Sequence, residues 1–138
     1  MKSKKYISKI IIIITILIMC YTIPAAASNY KDTTFKFYFR DSYSEMRTAL
    51  REKEDDTSAY MKCEETTYSY TAFVVGARSL FDIYYDMSGG HQYTFNTGTV
   101  HKMINYVYEN KLAYAAIYAK RNYSYNYYAN GLWSPDSV

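Results

Sequence analysis

The stretch Phe35-Lys36-Phe37-Tyr38-Phe39-Arg40 decides the fold class, because phenylalanine occupies every second position in it. Successive side chains of a β-strand point to opposite faces of a sheet. This spacing therefore predicts a strand whose phenylalanine face is buried and whose other face meets water. Such a strand needs partners and a covered core, which the rest of the chain must supply.

The same two-residue period recurs along most of the chain. It predicts further strands at residues 46–51, 57–63, 68–74, 80–85, 92–95 and 112–118. Helix propensity competes at 44–54, and the alanines after Leu112 leave a longer helix as the alternative there. The abundant tyrosine and phenylalanine favour pleated surfaces. We therefore expect a mainly β fold, an antiparallel β-sandwich or curled sheet of about five to seven strands.

One window departs from the strand period. The apolar residues at helical spacing are Val100, Met103, Ile104 and Val107. Thr97 or Thr99 can cap the start of a helix, and Asn110 can take the left-handed conformation that ends one. The pattern predicts one α-helix over residues 99–110 that packs its apolar side on the sheet.

The first 27 residues have the three parts of a secretory signal peptide. A basic start is followed by an apolar run from Ile10 to Met19 and by Ala25-Ala26-Ala27 before Ser28. The apolar run is about half the ~20 residues that a membrane-spanning helix needs. We expect cleavage after Ala27, no permanent membrane anchor, and a single extracellular or envelope-associated domain over residues 28–138.

The charge balance changes when this segment is removed. The whole chain carries a formal charge of +3, but four of its 16 basic residues lie in the first 27. The remaining 111 residues hold 12 Lys and Arg against 13 Asp and Glu. The domain is thus nearly neutral, and its charge gives no support for nucleic-acid binding.

Cys63 is the one cysteine beyond the predicted signal peptide, which contains Cys20. It alternates in phase with Ala59 and Met61, which predicts a small buried side chain on a strand. The alternative is an intermolecular disulfide, because an unpaired cysteine in an exported protein is a candidate for pairing between chains. A dimer through Cys63 therefore stays open.

Residues suited to catalysis or metal binding are few. His91 and His101 lack the paired spacing of a zinc site. The acidic cluster at 52–56 lacks the ordered spacing and central glycine of a calcium loop, so it predicts a solvated turn. A dyad of Cys63 with either histidine lacks support from the pattern. We expect no catalytic residue, no metal, no cofactor and no enzymatic activity.

Tyrosine is the one residue type in surplus, with 17 of 19 beyond residue 27. The segment 123–128 can be an exposed strand or a loop. The candidate binding surface consists of Tyr123, Tyr125, Tyr127, Tyr128 and Trp133. Tyrosine gives a large contact area at low entropic cost, and interleaved asparagines at 122, 126 and 130 add hydrogen bonding. The alternative is that these tyrosines build the core and its wet margin.

The chain ends on Trp133-Ser134-Pro135-Asp136-Ser137-Val138. A large indole is expected to fold back into a pocket of the sheet, with Asp136 or Ser137 accepting from a nearby backbone donor. The alternative is that Trp133 and the Val138 carboxylate form a docking tag for a partner.

This ending resembles that of an uncharacterised family of small exported proteins from Gram-positive bacteria, a domain of unknown function. The segments 51–60, 69–76 and 98–110 are similar to the same family. The resemblance implies a secreted, mostly antiparallel β-domain and supplies no activity. More loosely, the small exported β-rich format looks like lactococcin-type bacteriocins.

These observations predict a secreted, non-enzymatic β-domain that binds a cell-wall component or an extracellular protein. The alternative is a bacteriocin-like secreted toxin that acts on related bacteria. An enzyme ranks third, because no nucleophile, base or metal site stands out.

Overall fold

The computed structural model of the chain describes residues 29–138, so the predicted signal peptide and Cys20 lie outside the described residues. The described part forms ten β-strands and contains no helix. The strands are β1 Thr33–Phe39, β2 Glu45–Arg47, β3 Arg51–Glu52, β4 Ala59–Thr66, β5 Tyr70–Ala77, β6 Tyr84–Asp86, β7 Tyr93–Phe95, β8 Val100–Met103, β9 Tyr114–Arg121 and β10 Tyr127–Ser134.

The strands make two antiparallel sheets. The first sheet has the order β1-β10-β4-β8. The second has the order β2-β9-β5-β6, with β3 also on β9 and β7 also on β5. The prediction of a mainly β, antiparallel fold is confirmed, and the expected strand number was too low because several strands have only two to four residues.

One hydrophobic core joins the two sheets. The phenylalanines of β1 are buried as their spacing predicts, and the Phe37 ring meets the edge of Tyr70 from the second sheet, 5.9 Å between centroids. Tyr70 in turn stacks on Phe95 at 5.3 Å. Fully burying one such aromatic side chain is worth about 1.5–3 kcal/mol, so the β1 face is a large part of what holds the sheets together.

The predicted helix over residues 99–110 is wrong. Val100–Met103 is strand β8, which pairs with β4 so that Met103 lies opposite Ala59. Exposure then follows a two-residue period, with Met103 and Val107 buried and Ile104 exposed. Strand β4 has an edge that needs a hydrogen-bonding partner, and pairing with that edge outweighs the local helical spacing.

A turn over residues 107–111 follows β8. The left-handed residue there is Lys111, with φ 58°, where Asn110 was expected. From Tyr114 the chain is strand β9, so the strand interpretation of 112–118 is confirmed over the longer helix. Residues 122–125 form a bend, so the segment before Tyr127 is a loop and not an exposed strand.

Trp133 and Ser134 of the C-terminal stretch belong to strand β10, which lies between β1 and β4, and residues 135–138 follow that strand. Trp133 is therefore buried, at 1% exposure, as a residue of the central strand. The register of β10 on β4 shifts between Asn130 and Gly131. A Cβ on Gly131 would lie 2.0 Å from the Lys62 carbonyl oxygen, so only glycine fits this close approach.

The residues after β10 are locked by a buried ion pair. The Lys53 ammonium lies 2.5 Å from the Asp136 carboxylate, and both side chains are fully buried. Asp136 also accepts from the backbone N–H groups of Asn29 and Glu54, at 2.8 and 3.2 Å. The expectation that Asp136 satisfies a backbone donor is thereby confirmed. Trp133 is no part of a docking tag, because it is inside the core.

The predicted solvated turn at the acidic cluster holds only in part: residues 55–57 form a bend, but Glu52 belongs to strand β3, and Glu54 and Asp55 are half-buried. Asp55 is held by the backbone N–H of Thr57 at 2.9 Å and by the Thr57 hydroxyl, and it lies 3.6 Å from the Lys53 ammonium. Burial raises the pKa of Asp55, but the Thr57 hydrogen bonds and the Lys53 charge outweigh burial and lower it.

Within the described range, no helix is long and apolar enough to cross a membrane.

Candidate binding surface

The structure divides the predicted binding residues between surface and core. Tyr123, Tyr125 and Tyr128 are about half exposed or more, with Tyr125 at 60%. Tyr127 and Trp133, at 3% and 1%, are core residues with almost no exposed surface. The difference follows from strand β10, because Tyr127 and Trp133 lie on its inward face and Tyr128 lies on its outward face.

Tyr123 and Tyr125 lie in the loop between β9 and β10, and Tyr68 from the β4–β5 loop lies against both. The ring of Tyr68 stacks on Tyr125 with centroids 5.0 Å apart and an interplanar angle of 24°. Its centroid is 5.5 Å from that of Tyr123. We call Tyr68, Tyr123 and Tyr125 the tyrosine patch. The sequence interpretation missed Tyr68, because the contact joins residues more than 50 positions apart.

Hydrogen bonds fix the loop that carries the patch. Asn122 accepts from the Thr71 hydroxyl at 2.9 Å, and its amide nitrogen donates to the Ser69 hydroxyl at 3.1 Å. The Tyr127 hydroxyl, from beneath, donates to the Ser69 carbonyl at 2.9 Å. Asn122 is thus used to hold the loop on β5, and the patch tyrosines are presented in a set arrangement.

A second aromatic group lies on the outer face of the first sheet. Tyr38 and Tyr128 are opposite each other on β1 and β10, and their rings stack with centroids 4.2 Å apart at 12°. The Lys36 ammonium lies 4.9 Å from the Tyr128 centroid, and the Arg40 guanidinium lies 5.6 Å from that of Tyr38. Cation–π contacts of this kind orient the rings and keep positive charge beside them.

A polar groove of about 470 Å³ is lined by Tyr128 of the second aromatic group and by Thr67 and Asn126, which are the sequence neighbours of Tyr68 and Tyr125. The residues that line it are Lys36, Glu65, Thr66, Thr67, Asn126, Tyr127, Tyr128 and Asn130. The Asn130 amide nitrogen donates to the Glu65 carboxylate at 3.4 Å, so the groove is lined by both hydrogen-bond donors and acceptors. Two of the three predicted asparagines, Asn126 and Asn130, lie here and are available for hydrogen bonding.

Cys63 is fully buried on β4. A disulfide between two folded copies would therefore require β4 to leave the core. Burial raises the pKa of the Cys63 thiol, which keeps it protonated at neutral pH. An activated nucleophile needs the opposite shift, so this environment is that of a structural cysteine.

Of the two histidines, His101 lies against aromatic side chains and His91 lies at the surface. The His101 ring lies 5.1 Å from the rings of both Tyr93 and Phe95, and its Nε2 lies 3.3 Å from the Thr94 carbonyl oxygen. His91 is exposed beside Gly90, whose φ is 85°. In the part of the chain that the structure describes, no group of three or more His, Cys, Asp or Glu residues could hold a metal ion.

Comparisons with known proteins place the chain at family level. No curated protein and no solved structure matches it. A family model does match residues 23–137, in agreement with the uncharacterised family that the sequence resembled, whereas an exported Gram-positive origin stays a prediction. The chain belongs to the family described as "Protein of unknown function (DUF2712)".

Proposed function

We propose that this chain is a secreted, non-enzymatic binding domain and that its tyrosine patch binds a carbohydrate polymer of the cell envelope. The observation that carries the proposal is the patch itself, a set of stacked and exposed tyrosines beside a polar groove. Exposed aromatic side chains that are already ordered lose little entropy when a ligand binds.

The geometry suits a sugar chain in two respects. One face of the Tyr125 ring rests on Tyr68 while 60% of the side chain stays in water, so a second flat surface is available for the apolar face of a sugar ring. The groove next to it offers the amides of Asn126 and Asn130 and the carboxylate of Glu65 to hydroxyl groups. Stacking and hydrogen bonding would then act on adjacent units of one polymer.

The test is co-sedimentation of the purified protein with lipid-free cell walls. We expect Tyr125→Ser to weaken binding at least about tenfold, which corresponds to ~1.4 kcal/mol. Tyr125→Phe keeps the ring and should retain most of the binding. The matched control is Tyr108→Ser, which removes a similarly exposed tyrosine from the turn after β8.

Equal binding by the Tyr125→Ser and Tyr108→Ser variants would contradict the proposed site. Failure of the parent protein to bind walls would contradict the ligand class. Inhibition of related strains by the purified protein would instead favour the bacteriocin-like alternative.

A further inference from the structure

The loop between β5 and β6 exposes apolar side chains at the surface. Phe81 is 99% exposed and Ile83 is 66% exposed, and Leu80 is about half exposed. Tyr84 and Tyr85 follow at the start of β6 and are also exposed. We call residues 80–85 the apolar loop. A phenylalanine with almost all of its surface in water is unusual in a protein whose other phenylalanines are mostly buried.

We propose that the apolar loop inserts into the surface of a lipid bilayer. Three apolar side chains on one tip are a small contact compared with the ~800 Å² that each partner contributes to a specific protein interface. A bilayer needs no shape complementarity and accepts an isolated tip. Amphipathic surface elements bind membranes in this way, with affinity that scales with the apolar area they bury.

Two backbone N–H groups near Phe81, at the tip of the apolar loop, already have hydrogen-bond acceptors within the loop between β5 and β6. The Asp82 N–H donates to the Ser79 carbonyl at 3.3 Å, and the Ile83 N–H donates to the Asp82 carboxylate at 2.8 Å. Beyond the tip, β6 is paired with β5. Backbone groups without partners are costly in hydrocarbon, and these two donors at the tip have partners within the loop itself.

The base of the loop has the residue types found at membrane–water interfaces. Tyr84 and Tyr85 carry hydroxyl groups above an apolar ring, which suits the headgroup layer. The Arg47 guanidinium lies 5.2 Å from the Tyr84 ring centroid, and Arg78 is exposed two residues before the loop, so two cations lie near its base for contact with lipid phosphates. The acidic Asp82 limits the depth of insertion to the level of the headgroups.

This surface is separate from the tyrosine patch. The apolar loop follows Ala77 at one end of β5, whereas Tyr68 precedes Tyr70 at the other end. Eight residues of strand separate the two ends by roughly 23 Å. The two surfaces can therefore be tested independently.

The experiment measures binding to vesicles of phosphatidylcholine alone and of phosphatidylethanolamine with phosphatidylglycerol. The ten strands and the hydrophobic core are formed by residues 33–134. The protein is therefore used without residues 1–27, the predicted signal peptide, because their apolar run would bind lipid itself. We expect the parent protein to co-sediment with both vesicle types and Phe81→Ser/Ile83→Ser to lose at least tenfold in binding. Ile104→Ser is the control, because Ile104 is also an exposed isoleucine but follows strand β8 of the first sheet and is no part of the apolar loop.

A Phe81→Trp variant gives a second readout. Its new indole should shift to shorter emission wavelength on addition of vesicles, while the buried Trp133 contributes a constant background. Absence of vesicle binding by the parent protein, or equal loss in Ile104→Ser, would overturn the proposal. A loop-dependent dimer in solution without vesicle binding would show that the loop contacts a second copy instead. Tyr125→Ser should leave vesicle binding unchanged.

Discussion

Removing the Asp136 carboxylate is the most direct test of what holds the C-terminal segment in place. Asp136 is fully buried and lies 2.5 Å from the equally buried Lys53 ammonium. It is 83 residues away from Lys53 in the chain, and it also accepts from two backbone N–H groups. Asp136→Ala therefore leaves a buried cation and two backbone donors without their acceptor.

The size of the effect follows from these contacts. Breaking a buried ion pair by removing one partner costs about 3–5 kcal/mol, because the other charge stays buried. Asp55, 3.6 Å from Lys53, and the Thr57 carbonyl at 2.6 Å offset part of this loss. We expect about 3–4 kcal/mol for Asp136→Ala. The double variant Lys53→Met/Asp136→Leu should lose less than the Asp136→Ala single variant, since neither charge is left unpaired.

The assay is urea unfolding followed by fluorescence of Trp133, the only tryptophan in the chain, which is buried and should shift to longer wavelength on unfolding. Asp136→Ala, the double variant and the parent protein are compared at pH 7, and the slope of the transition serves as a check on two-state behaviour. A loss below about 1 kcal/mol in Asp136→Ala, or a loss in the double variant at least as large as that in Asp136→Ala, would refute the reasoning.

Three further predictions follow from the described contacts. Gly131→Ala should destabilise the protein by more than about 2 kcal/mol in thermal unfolding, because the new Cβ would meet the Lys62 carbonyl at 2.0 Å. Gly90→Ala is the comparison: space around it is open, so only its left-handed φ of 85° is strained, at a cost of about 1–2 kcal/mol. The pKa of Asp55 is lowered from 3.8 in the folded state, so its contribution to the free energy of unfolding is present above pH 3.8 and is lost as the pH falls through the folded-state pKa. Asp55→Asn should therefore reduce the acid-induced loss in a plot of unfolding free energy against pH. Burial raises the pKa of Tyr127 to about 12, so the folded state holds this proton while the unfolded state releases it near pH 10. The free energy of unfolding should therefore fall as the pH rises from about 10 to about 12. The same fall in Tyr127→Phe as in the parent protein would contradict this.

Strands with a strong two-residue alternation can be predicted from the amino-acid sequence without the fold. The phenylalanines of β1 and the face of β5 that carries Tyr70, Ala72 and Val74 are buried where the two-residue period places them. On β9 the period predicted the wrong face, since Ala115, Ile117 and Ala119 enter the core and Tyr114 and Tyr118 stay half-buried. This period is a local property, because it depends on which face of one strand meets the core. Of the candidate binding residues, Tyr123, Tyr125 and Tyr128 are exposed as expected, whereas Tyr127 and Trp133 are buried.

Contacts between segments that are distant in the chain could not be predicted from the sequence, because they form only in the tertiary structure. Residues 100–103 carry a helical spacing and still form β8, because the edge of β4 offers them a hydrogen-bonding partner. Trp133 is a core residue because β10 lies between β1 and β4, and Tyr68 joins the tyrosine patch because two loops meet. Lys53 finds Asp136 for the same reason. Each of these depends on which strand edges and side chains a folded chain brings together, and no local pattern carries that information.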